Sequence, residues 1–123
     1  DQHDAERLIA LDAWYYFNIK LGKSGGIYKA LKMARLAEAA GLHLQVGAMI
    51  ESRLAMTAFA HFALSSPNIV HFDFDTALML REDPVTGGIV YKENGVVEVP
   101  EAIGLGATIS EEWLGKWEKV LVS

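Results

Sequence analysis

Apolar residues recur along the chain with two different periods. Between residues 5 and 15 they fall at Leu8, Ile9, Leu11 and Ala13, with Asp4 available to cap the start, and this spacing predicts a helix. Residues 16–21 are short, aromatic and β-branched and predict a strand, which Gly25-Gly26 breaks. Residues 27–40 return to the helical period through Ile27, Ala30, Leu31, Ala34, Leu36 and Ala37, and Gly41 is placed to close that helix. A second strand is predicted over 42–49, a long helix over 52–65 and a third strand over 69–74, after the loop Ser66-Pro67-Asn68. The order αβαβαβ has connections short enough for right-handed parallel crossovers. After Asp83-Pro84 the pattern changes: residues 88–91 and 96–99 flank Glu93-Asn94-Gly95, a hairpin signal, and Ser110 opens a last helix toward Val120.

The polar residues of the strands carry the functional signal. Phe17, Ile19 and Leu21 share one face of the first strand, and Asn18 and Lys20 share the other. In the second, Leu44, Val46, Ala48 and Ile50 oppose Gln45, Gly47, Met49 and Glu51; in the third, Val70, Phe72 and Phe74 oppose His71, Asp73 and Asp75. Strands of an open sheet covered on both sides are apolar throughout. One apolar face, and one that turns polar toward the C-terminal end, instead fits an α/β fold of the (β/α) barrel type, with helices outside and an active-site mouth at the strand ends. Lys20, Glu51, Asp73 and Asp75 then meet at one rim. Each has a bland explanation alone: a snorkelling lysine, a first-turn glutamate, an aspartate capping a helix from Thr76. Opposite charges gathered at one rim favour a site.

Composition narrows the classes. The chain has 123 residues, 51% of them hydrophobic, a formal net charge of −5 and no cysteine. That is a single-domain length, too apolar for disorder. Thiolate chemistry and disulfides are excluded, and the acidic balance makes nucleic acid an unsuitable partner. Asp1-Gln2-His3-Asp4 has neither the basic start nor the apolar core of a signal peptide, and the apolar run over 53–64 is short and interrupted by Arg53 and His61. No membrane partner and a cytoplasmic location are expected. Gly22-Lys23-Ser24 lacks the first glycine of a phosphate loop, since position 17 is Phe17, and Asp73-Phe74-Asp75 fails as a calcium loop at Leu78 and Pro84. Gly104-Leu105-Gly106 is no dinucleotide fingerprint, and the four histidines have no metal-ligand spacing.

Three stretches in order resemble the enolase superfamily, in its mandelate racemase and muconate lactonizing enzyme group. They are Asn18-Ile19-Lys20-Leu21 with Ser24-Gly25-Gly26-Ile27, then Val46-Gly47-Ala48-Met49-Ile50-Glu51-Ser52, then His71-Phe72-Asp73-Phe74-Asp75-Thr76. The tail Pro100-Glu101-Ala102-Ile103-Gly104-Leu105-Gly106 resembles the close of that group, and the Asp-x-Asp pair resembles the dipeptide epimerases. The resemblance implies a racemase or epimerase in which a proton α to a magnesium-bound carboxylate is removed and returned through an enediolate. Lys20 would be one of the two acid/base lysines. Asp73 and Asp75 would hold the dipeptide's α-ammonium, Ala48 and Ile50 would line the substrate site, and Asn18 and Glu51 would lie nearby. Muconate or chloromuconate cycloisomerase and o-succinylbenzoate synthase are same-fold alternatives, against which the paired aspartates count. A non-catalytic, self-associating half-barrel is the alternative of another class.

On this resemblance residues 1–123 correspond to strands six to eight of the barrel with their helices, plus a C-terminal hairpin and helix. The carboxylates that bind Mg2+, the second lysine and the capping domain would lie outside the chain, so the chain alone is expected to be inactive. A dipeptide substrate and a homo-oligomeric parent enzyme are expected. The high apolar content is then surface meant for neighbours, with Phe17, Val70 and the helix from Leu54 to Leu64 awaiting cover.

Overall fold

The computed structural model describes residues 1–12, 15–118 and 120. The first helix, α1 (Gln2–Ala10), starts earlier than the periodicity indicates because Asp1, not Asp4, is its cap. Asp1 accepts from the backbone N–H groups of His3 and Asp4, and Asp4 answers from the third helical position in a capping box. Ala13, which the sequence pattern assigns to this helix, lies outside the described residues.

Strand β1 (Tyr16–Ile19) passes into a single helical turn, α2 (Leu21–Ser24), and two glycines of positive φ, Gly25 and Gly26, lead into α3 (Ile27–Ala39). α3 ends as its sequence requires: Gly41 has φ of +70°, and the N–H of Leu42 reaches back to the carbonyl of Ala37 at 2.8 Å. β2 (His43–Val46), α4 (Arg53–Ala63) and β3 (Ile69–Phe72) complete the αβαβαβ order. The three strands form one parallel sheet in the order β1-β2-β3, so β2 is central.

The core lies on one side of this sheet. Phe17, Ile19, Leu44, Val46 and Ile69 pack beneath Ala30, Ala34 and Ala37 of α3 and Met56, Phe59 and Ala60 of α4, all buried. Small residues on both helices let them approach the strands closely. Phe17, expected to await cover from elsewhere, is therefore already in the core at 9% exposure, and α4 is buried along most of its length. The pairing of β2 with β3 slips between Leu44 and Gln45: Leu44 opposes Ile69 whereas Gln45 opposes His71, leaving Val70 as a bulge. The bulge corrects the alternation expected for β3, placing Ile69 and Phe72 on the helix side and His71 on the open side.

Beyond β3 a 3-10 helix (Asp75–Met79) leads to a two-stranded antiparallel pair, β4 (Val85–Gly87) with β7 (Ala107–Ile109), and between them the hairpin β5 (Val90–Tyr91) with β6 (Val97–Glu98). The hairpin was legible from Asn94-Gly95, whose φ values are +58° and +75°. The last helix, α5 (Glu111–Lys116), is shorter than expected, with Ser110 as its cap. No helix among the described residues is long and apolar enough to cross a membrane.

Candidate active site

Three parallel strands bring their C-terminal ends to one edge of the sheet, and the polar groups gather there. Lys20 follows β1, Ala48 lies two residues past β2 and Asp73 one past β3. Lys20 is half-buried, and its Nζ donates a hydrogen bond to the carbonyl of Ala48 at 2.5 Å. The N–H of the same Ala48 lies toward the carboxylate of Asp73 and favours its charged form. The backbone of Asp73 is itself held, because its N–H donates to the carbonyl of Val46 at 2.9 Å and extends the ladder beyond β3. One residue, 5% exposed, thus has its carbonyl on the lysine and its N–H toward the aspartate. Lys20 is no snorkelling surface residue.

Asp75 opens the 3-10 helix but caps nothing; the capping position is Phe74, which makes no side-chain bond. Its carboxylate instead faces Asp73. The facing carboxyl of Asp75, partial burial and the charge of Asp75 together raise the Asp73 pKa above its ordinary value, which Lys20 and the Ala48 N–H only partly oppose. Between the two aspartates the carbonyl of Phe74 accepts from the hydroxyl of Tyr91 at 2.6 Å, and burial raises the pKa of that phenol. Tyr91 comes from the hairpin after the sheet, and no spacing in the sequence links it to the strand ends.

The other residues expected at the rim divide. Glu51 curls back over its own loop: one carboxylate oxygen accepts from the N–H of Met49 at 3.3 Å, and the other lies beside Gly22 at the corner of β1 and α2. Ile50 is 69% exposed. Asn18 stands on the open face of β1, its carboxamide laid against the bare α-carbon of Gly47. Among the described residues no group of three or more His, Asp or Glu is placed to hold a metal ion. The arrangement can exchange a proton at Lys20 and hold a cation at the aspartate pair.

Comparison with known proteins points the same way. The chain is 52% identical over 120 residues to a D-Ala-D/L-Ala epimerase of Cytophaga hutchinsonii, covering 98% of this chain and 33% of that protein. A dipeptide epimerase structure from the same organism, complexed with Mg and D-Ala-L-Val, superposes with a TM-score of 0.93 over 98% of this chain and 33% of the other. An L-Ala-D/L-Glu epimerase of Bacillus subtilis is 51% identical over 89 residues, which is 72% of this chain and 24% of that protein. The N-succinyl Arg/Lys racemase structure from Bacillus cereus superposes with a TM-score of 0.83 at 35% identity, covering 93% of this chain and 30% of that one. The chain therefore spans about a third or less of the length of these relatives. The sheet, its helices and the hairpin region form a partial α/β barrel, and residues 1–113 match the enolase C-terminal domain-like family, to which this chain belongs.

Proposed function

We propose that this chain supplies one acid/base group and the ammonium-binding carboxylates of a dipeptide epimerase. The observation that carries this reading is the Ala48 bridge, with Lys20 on its carbonyl and Asp73, paired with Asp75, toward its N–H. A lysine fixed by one hydrogen bond keeps two further N–H bonds for proton exchange with a substrate carbon. The two aspartates repel each other in the free protein, and a substrate ammonium placed between them would relieve that repulsion, so binding and orientation come from one contact. A muconate-type dianion would meet the same pair unfavourably. Ala48 and the exposed Ile50 border the substrate, with Asn18 below the lysine. Magnesium and the second acid/base group belong, on this reading, to residues outside the chain, and the chain alone is inactive.

A chimera tests the proposal. The matching third of the Cytophaga enzyme is replaced by residues 1–120, and the product is assayed with alanine dipeptides and magnesium. Epimerisation is expected, together with loss of solvent-deuterium exchange from one face of the α-carbon in Lys20→Ala. Exchange from both faces in that variant would refute the role of Lys20.

A further inference from the structure

Eight of the eleven glycines take a positive φ and are explained by their backbone, whereas Gly22, Gly47 and Gly115 do not. A β-carbon at Gly115 would meet open space, and one at Gly22 an ordinary contact at 3.4 Å. Gly47 differs. It is buried, and a β-carbon there would lie 2.5 Å from Oδ1, 3.0 Å from Nδ2 and 3.2 Å from Cγ of Asn18. The Asn18 carboxamide occupies the space in which a side chain at 47 would stand.

This contact lies under the Ala48 bridge. Asn18 on β1 and Lys20, just past it and still extended, are two residues apart and share a face, so the carboxamide forms the floor below the lysine. Gly47 precedes Ala48 directly, and its N–H bonds the carbonyl of Ile19 at 3.0 Å, which fixes the height of that floor against β1. A long, flexible ammonium side chain holds one geometry only where packing removes its alternatives.

We propose that Asn18 and Gly47 are positioning residues for Lys20: the carboxamide seated on the bare α-carbon keeps the ammonium on the Ala48 carbonyl. A β-carbon at 47 displaces the Asn18 carboxamide from its seat beside the lysine, and on this proposal the ammonium then loses its hold on the carbonyl. The importance of this contact for catalysis rests on the reading of Lys20 as an acid/base group. The contact itself is tested without any assay of activity.

The test is the proton exchange rate of the Lys20 ammonium in the 15N-lysine-labelled chain, followed by NMR in acidic buffer. The Lys116 ammonium, bonded to Glu112 at 2.6 Å on α5, serves as internal reference. Gly47→Ala is expected to speed Lys20 exchange about tenfold or erase its signal, as loss of a charge-assisted hydrogen bond requires. The double variant N18A/G47A removes the clash and is expected to return the rate to within about threefold of the unsubstituted chain. If Gly47→Ala does not fold, Asn18→Ala alone opens the floor and is expected to speed exchange in the same direction. Unchanged Lys20 exchange in a folded Gly47→Ala or Asn18→Ala chain would overturn the proposal, as would a double variant no slower than Gly47→Ala. Should the exchange behave as expected while the Lys20→Ala chimera remains active on both faces, the positioning stands and the epimerase reading falls.

Discussion

Asp73 and Asp75 face each other two residues apart, and the raised pKa of Asp73 has a consequence for stability. Between its ordinary value of 3.8 and the raised one, the folded chain holds a proton that the unfolded chain has already released. Stability therefore falls as pH rises through that window and levels off above it. Asp73→Asn removes the repulsion and is expected to stabilise the chain at pH 7 by about 0.5–1 kcal/mol, a modest figure because water screens a partly exposed pair. Urea unfolding at pH 7 and again near pH 4 checks this, since the gain should shrink toward the lower pH. At this scale much was legible. Alternation alone put Lys20 and Asp73 on one face and one rim, because strand parity is a local property. Glu51 was placed at that rim too, but an irregular loop after β2 lets it turn back on Met49. The hydroxyl of Tyr91 on Phe74 was beyond reach, because contacts between residues 17 positions apart leave no local trace.

Arg53, at the start of α4, ties the sheet to everything that follows it. Its Nε donates to Asp83 and its Nη2 to the carbonyl of Val85, each at 2.5 Å, while Nη1 donates to the carbonyl of Gly87. One turn later the hydroxyl of Thr57 donates to the carbonyl of Arg53 at 2.7 Å and accepts from the N–H of Ile89 at 3.0 Å. The first turn of a helix thus satisfies backbone groups of Val85, Gly87 and Ile89 that the β4–β7 pairing leaves open. Arg53→Ala is expected to cost about 2–3 kcal/mol, the range for charged hydrogen bonds whose buried partners are left open. Thr57→Val, which keeps the shape and orphans the buried Ile89 N–H, is expected to cost about 1–3 kcal/mol. Denaturant unfolding measures both, and faster cleavage by trypsin at Arg81 in either variant would show that the tie was to this segment. The helices were legible as elements from their period, and the Asn94-Gly95 hairpin from its turn residues. The β4–β7 pair was not, because strands of three residues offer too little alternation to stand out. The Val70 bulge escaped for a related reason: it depends on β2, over twenty residues earlier.

At the scale of the whole molecule the sheet is covered on one side and open on the other. The open face carries Tyr16 and Asn18 from β1, His43 and Gln45 from β2 and His71 from β3, with the Tyr16 ring 5.5 Å from that of His43 and 5.8 Å from that of His71. The apolar residues expected to await cover divide, since Val70 is exposed whereas Phe17 is not. Phe17 is in the core, while Leu64, Phe72 and Leu78 are more than half exposed around a cavity of about 400 Å³ between α4 and the hairpin. Order should therefore be graded outward from the middle of the sheet. β2 alone is paired on both sides, and Leu44 and Val46 are fully buried. α5 has no buried residue, and the backbone from 100 to 106 is held by few bonds. Amide exchange by local opening follows such differences, because each opening costs only the contacts that it breaks. The amides of Leu44 and Val46 are expected to exchange only through global unfolding, and those of α5 several orders of magnitude faster. β3, an edge strand with a bulge, should lie between them. Hydrogen exchange read by NMR across increasing urea would show the β2 amides carrying the full denaturant dependence and the α5 amides almost none. Equal protection across the chain would mean instead that the segment beyond Arg53's tie is part of the core's cooperative unit, and in that case Arg53→Ala should lower the protection of β2 as much as that of β4.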